Sequence, residues 1–164
     1  MFRGKYVLLA VIVVLLLSGC TFNLTSGKKV VYDPNLPKKE GTQVTFGQSI
    51  QVQQYNGIDV VDEWYKNRGR REVIATLPGG SSTILLNWSA AYTSGTRRWE
   101  LGRNNVEFQY AFEPRKKYFV GTYVEEKKTL GLITTGGEAG IAIWAKDKPG
   151  KKSNAVKYWA LQDF

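Results

Sequence analysis

Few residues in this chain could do chemistry. Among 164 residues there is one cysteine, Cys20, and no histidine. A lone thiol forms no internal disulfide. The missing histidine excludes Ser-His-Asp and Cys-His nucleophile arrangements, His-ligated zinc and any imidazole proton shuttle. A close set of carboxylates is Asp59, Asp62 and Glu63, flanking Trp64. Glycoside hydrolysis needs two carboxyl groups roughly 5–9.5 Å apart. On a strand Asp62 and Glu63 point to opposite faces, so their adjacency in sequence does not make that pair. No Asp-x-Asp-x-Asp-Gly loop exists, and no metal site or cofactor is expected. Gly136-Gly137-Glu138-Ala139-Gly140 has the glycine content of a phosphate-cradling loop, but Ile141-Ala142-Ile143-Trp144 after it reads as strand, not as the helix whose N-terminus would hold the anion.

What remains is aromatic and cationic. Five tryptophans, at 64, 88, 99, 144 and 159, offer ring faces that could stack on sugars. Trp99 stands out because it falls beside Arg97 and Arg98, in a stretch from Thr93 to Arg103 that reads as a loop. The others sit where a β core takes its aromatics. Cations gather in runs: Arg68-Arg70-Arg71, Arg97-Arg98-Arg103, Arg115-Lys116-Lys117 and Lys146-Lys148-Lys151-Lys152. The formal charge is +9, which favours anionic partners such as lipid headgroups or acidic polymers.

The N-terminus carries an address. Arg3 and Lys5 precede an apolar run from Val7 to Leu17, shorter than the ~20 residues of a transmembrane helix. The run ends in Leu17-Ser18-Gly19-Cys20, which resembles the bacterial lipobox. That resemblance implies cleavage between Gly19 and Cys20, diacylglycerol on the Cys20 thiol and two or three acyl chains (palmitate-type) on the mature residue. At ~0.8 kcal/mol per buried methylene, two or more chains anchor stably. Thr21, in place of the aspartate that retains enteric lipoproteins at the inner membrane, favours the outer membrane. Nucleic acid is not an expected partner there.

We read residues 1–19 as a lipoprotein signal peptide, 20–42 as the lipidated cysteine and tether, and 43–164 as one all-β domain. The tether has Lys28-Lys29, Lys38-Lys39, Pro34 and Pro37, with Val30-Val31-Tyr32 able to pair as a short strand. Val44 to Tyr55 is β-rich and meets Asn56-Gly57, the strongest short hairpin signal, with Ile58 to Trp64 as the returning strand. Glu72 to Leu77 ends in Pro78-Gly79-Gly80, and Ser82 to Tyr92 follows. Val106, Phe108, Tyr110 and Phe112 alternate with Glu107, Gln109 and Ala111, which predicts one packed and one wetter face. Glu113-Pro114-Arg115-Lys116 predicts a turn into Tyr118 to Val124. Leu130 to Thr134 and Ile141 to Ala145 form an expected hairpin about Gly136-Gly137. Lys146 to Asn154 reads as a basic loop and Val156 to Leu161 as a closing strand. No stretch holds a 3.6 period for three turns. The expected fold is an all-β antiparallel β-sandwich, with a small barrel as the alternative.

Several of these segments resemble small, largely uncharacterised bacterial lipoproteins of the spirochaete type. The matching residues are the lipobox, Tyr32-Asp33, Tyr55-Asn56-Gly57 with Trp64, Leu77-Pro78-Gly79-Gly80, and Phe112-Glu113-Pro114 with Tyr118. Two positions depart from the pattern: Ser81-Ser82 stands where a histidine is common, and Arg115 where a glycine follows Glu-Pro. The resemblance implies a β-sandwich-like domain and brings no reaction, substrate or cofactor.

The functional expectation is a membrane-anchored envelope lipoprotein, not an enzyme, whose β domain binds anionic lipid, glycan or other envelope proteins, with Arg97, Arg98 and Trp99 as candidate ligand-binding residues. An envelope-structural or assembly role is the alternative, and a His-free glycoside hydrolase using Asp62 and Glu63 is a distant one.

Overall fold

The computed structural model describes residues 29–31, 40–60, 72–129 and 133–164. They form β1 (Lys29–Val31), β2 (Thr42–Phe46), β3 (Ile50–Tyr55), β4 (Ile58–Asp59), β5 (Val73–Leu77), β6 (Gly80–Ser94), β7 (Arg97–Phe112), β8 (Lys117–Thr129), β9 (Ile133–Trp144) and β10 (Lys157–Asp163), with one 3₁₀ turn at Lys152–Asn154. A six-stranded sheet runs β1-β5-β2-β8-β9-β10 and a four-stranded sheet β4-β3-β6-β7, both open at their edges, so the fold is a sandwich and not a closed barrel. Most ladders are antiparallel, but β1–β5 and β2–β8 are parallel. The first strand thus draws Lys29–Val31, inside the segment read as tether, into the sheet.

Burial follows strand parity. On β7, Val106, Phe108 and Phe112 are buried while Glu107, Gln109 and Ala111 are exposed, as the alternation predicts. They meet Val44, Phe46, Ile84, Leu86, Ile141 and Ile143 in one core between the sheets. Trp88, 1% exposed, crosses that core: its indole Nε1 donates to Thr122 Oγ1 on the facing sheet at 2.8 Å. The single strand expected over Val44 to Tyr55 is two strands in different sheets. The chain turns the corner at Gly47, whose N–H donates to Val120 O at 2.8 Å while its own carbonyl accepts from Ile50 N.

Two turns behave as their residues dictate. Asn56 (φ 50°) and Gly57 (φ 77°) make the left-handed pair of a type I′ turn. The connection expected between Thr93 and Arg103 is not a loop. Gly95 (φ 60°) and Thr96 form a two-residue turn, and Ser94 pairs directly with Arg97. Gly95 at the first central position suits a type II′ turn. The hairpin expected about Gly136-Gly137 is also absent: both glycines lie inside β9, which pairs with β8 along its length. They serve close approach instead. A Cβ on Gly136 would run into the backbone carbonyl of Phe164, and Phe164 exchanges both backbone hydrogen bonds with Gly137 at 2.8 and 3.0 Å.

The two long hairpins, β6–β7 and β8–β9, outrun the rest of the sandwich in one direction. We call that the arm end. The opposite, turn end carries Asn56-Gly57, the turn at 113–116, the start of β8 and the segment leaving β9.

Candidate anion-binding surface

The turn end is built from two braced loops. The first is Glu113–Lys116, between β7 and β8. Thr42 Oγ1 donates to Glu113 O at 2.8 Å, Gln43 N donates to Lys116 O at 3.1 Å, and Glu113 N donates to Tyr118 Oη at 3.2 Å. Arg115 sits at φ 64°, in the left-handed region that favours glycine. Beside it, Glu40, Pro78, Gly79, Pro114 and Arg115 line a hollow of 560 Å³. Lys116 pairs with Glu113 at 2.6 Å.

The second loop, 145–156, leaves β9 at this end and folds back across the outer face of the six-stranded sheet. Phe119, Tyr123, Ala142 and Trp144 form a small second core there, with Ala155 packed on it. Trp144 Nε1 donates to Lys151 O at 2.9 Å. Lys152 clasps the loop down. Its ammonium lies 2.6 Å from Glu138 Oε1 and 3.0 Å from Glu125 Oε2, and 4.3 and 5.0 Å from the ring centres of Tyr158 and Tyr123. The Lys152 side chain is 13% exposed. Hydrogen bonds to Glu138 and then Glu125 hold its pKa above the usual lysine range. Burial first, and then its hydrogen bond to Glu138, likewise raise the Tyr123 hydroxyl. Glu138, bonded by Lys152 and Tyr123 Oη, is held below the ordinary carboxylate range.

This clasp has a pH signature. A carboxylate depressed in the fold stabilises above its unfolded pKa, and that stabilisation is lost as pH falls through the depressed folded value. The 145–156 segment is therefore expected to loosen only in acid below the ordinary carboxylate range. Lys152→Ala is expected to loosen it already at neutral pH, with amide exchange in the loop faster by on the order of tenfold or more. Unchanged exchange in that variant would show that Trp144 and Ala155 alone hold the loop.

With Lys152 spent on the clasp, the neighbouring cations face outward. Arg115, Lys117, Lys146, Lys148 and Lys151 are all exposed. The β8–β9 ladder ends with Phe119 opposite Trp144, so the segments carrying Lys117 and Lys146 leave adjacent strands side by side. The sequence singled out both runs. Their meeting is set by strand order, and the bracing role of Lys152 by a long-range contact, neither of which a local pattern carries.

The other candidates fall elsewhere. Arg97, Arg98 and Trp99 lie at the start of β7 on the arm end, in a strand and not in the expected loop. Trp99 faces Tyr92 across the ladder with ring centres 5.8 Å apart and 25° between planes, and Phe164 packs on it at 5.2 Å. Its ring is thus half-buried among aromatic partners, and Arg98 pairs with Glu100 at 2.7 Å. Trp88 and Trp144 are core residues, and Trp159 packs against Phe108 at 4.7 Å. Cys20, Gly19, Asp62, Glu63, Trp64 and the run Arg68-Arg70-Arg71 lie outside the described residues. Among the described residues, no cluster of three acidic side chains is arranged to hold a metal ion.

No protein-family model matches the chain, and no curated protein or solved structure matches it.

Proposed function

We propose that this chain is a lipid-anchored protein of a bacterial envelope, and that its β-sandwich is a non-enzymatic domain binding anionic ligands at the turn end. The Leu17-Ser18-Gly19-Cys20 run behind a basic and then apolar leader supports the anchor. The observation that carries the binding role is the end of the β8–β9 ladder, where Phe119 opposite Trp144 sends the segments carrying the exposed Lys117 and Lys146 out side by side, with exposed Arg115 on the braced turn before β8. Fixed loops lose little conformational freedom when a ligand arrives, and like charges held together attract polyanions more strongly than scattered ones.

Two measurements test this reading. In cells, the native chain is expected to take up a palmitate analogue and fractionate with membranes, and Cys20→Ser to do neither. In solution, the mature chain with Cys20→Ser is expected to bind dextran sulfate in a salt-sensitive way. Reversing Arg115, Lys117 and Lys146 to glutamate should weaken that binding by at least about tenfold, each cation near an anionic surface being worth ~1 kcal/mol. Equal binding by the triple variant would remove the turn end as the site.

A further inference from the structure

The β6–β7 arm has one open side. Among the described residues β7 ends the four-stranded sheet, with β6 on one flank and no strand on the other. Ser94 faces Arg97 across the two-residue turn, and hydrogen-bonded pairs alternate along the ladder from that closing pair. Arg98, Glu100 and Gly102 fall on the intervening pairs, so their N–H and C=O groups point away from β6. Gly102 shows this directly, because its N–H donates to Gln162 Oε1 on β10 at 3.0 Å. Gln162 thus closes the edge at its inner limit. Between that bond and the tip, Arg98 and Glu100 present backbone donors and acceptors of the kind that take up another strand.

Charge selects the partner. Charged side chains on an edge strand commonly keep other strands away. Here their order is self-complementary. Arg98 and Glu100 project from the same face, their side chains 66% and 72% exposed, and pair with each other at 2.7 Å. We infer that the arm is a self-association site, where a second copy of this chain lays its β7 antiparallel along residues 97–101. This surface lies at the opposite end from the proposed anion site and is independent of it.

The register follows from the same two charges. With Arg98 opposite Glu100 of the second copy, the two-fold axis sets Glu100 opposite Arg98 of the second copy, an isologous contact. Opposite charges directly across a ladder stabilise it, and like charges destabilise it. Sliding the seam one hydrogen-bonded step sets Glu100 against Glu100 in one direction and Arg98 against Arg98 in the other. The register between them avoids both clashes. It also brings Trp99 beside Trp99 of the second copy, in a non-hydrogen-bonded pair whose Cα atoms approach to about 4.5 Å. Trp99 is only half-buried by Tyr92 and Phe164, which leaves ring surface for the second indole. The seam ends where the edge does: Thr96 of each copy falls opposite Gly102 of the other, at the Gln162 bond.

The test uses the mature chain with Cys20→Ser and a spin label at Thr96→Cys, which then carries the only thiol. A seam this short falls below the ~800 Å² per partner of a standard interface, so association is followed up to about 1 mM protein. Sedimentation is expected to show a monomer–dimer equilibrium. The two labels should lie about 20 Å apart, six residues at a rise of ~3.3 Å, with the label linkers added. Arg98→Glu and Glu100→Arg are each expected to weaken self-association by at least about tenfold. Mixed together, the two variants should pair with each other about as well as the native chain pairs with itself. A role for the Arg98–Glu100 pair within one arm predicts no such rescue, since each variant still lacks that pair. A chain that stays monomeric at about 1 mM, a dimer whose labels lie far beyond that separation, or a mixture that associates no better than its two components would each overturn the proposal.

Discussion

Trp88→Ala is expected to lower the unfolding free energy by about 4 kcal/mol, the usual cost of emptying a buried tryptophan site. Trp88 is 1% exposed and lies in the core shared by both sheets. Truncation removes its packing and leaves a cavity that strands on either side cannot collapse to fill, because their spacing is fixed by hydrogen-bonded ladders. It also removes the 2.8 Å bond from the indole N–H to Thr122 Oγ1, a hydroxyl that additionally bonds Ser49. A single domain is typically stable by only 5–15 kcal/mol, so the variant should denature at much lower denaturant concentration and melt roughly 10 °C or more below the native chain. Trp88→Phe, which keeps most of the volume and loses the bond, should fall well short of that. A drop under about 1 kcal/mol for Trp88→Ala would mean that the two sheets do not depend on this bridge.

Gly140→Ala is expected to cost about 3 kcal/mol, and for a different reason: overcrowding of backbone. A Cβ at position 140 would run into the carbonyl oxygen of Trp159 on the neighbouring strand. The ladder between β9 and β10 shifts register between Ala160 and Gln162, and Gly140 pairs with Ala160 at that irregularity. Flexible side chains can yield, but a carbonyl in a ladder yields only if the strand moves. The variant should therefore lose amide-exchange protection along β10 before the rest of the sandwich loosens, and equilibrium denaturation should report the cost. Retention of native protection on β10 would show that the bulge can absorb a methyl group.

Legibility in the sequence followed the reach of each signal. The β7 alternation was legible because Val106, Phe108 and Phe112 face the core at a strict period of two. The Asn56-Gly57 turn was legible because its chemistry is local: both residues take positive φ. The stretch from Thr93 to Arg103 reads as a loop because the arm outruns the core, so polar residues can occupy both faces and the period of two fades. Gly136-Gly137 reads as a turn because glycine marks turns and close approaches alike, and only the position of Phe164 separates the two. For the candidate surface, the cationic runs were visible in sequence. The approach of the segments carrying Lys117 and Lys146, the clasp through Lys152 and the packing of Trp99 against Tyr92 and Phe164 all depend on contacts between distant segments.

The parallel ladders carry a consequence for how the chain reaches this fold. β2 cannot complete its hydrogen bonding until β8 arrives beside it, pairing Gln43 with Lys117 across most of the domain's length. The six-stranded sheet is then extended by β9 and β10, so its core face closes with the last strands of the chain. Such distant pairings must meet the entropy of closing long loops before any contact offsets it, and high contact order slows folding. The domain is thus expected to fold slowly and late, with the edge of β2 that β8 later covers waiting unpaired. Any helper that shields that edge would act on the first half of the chain.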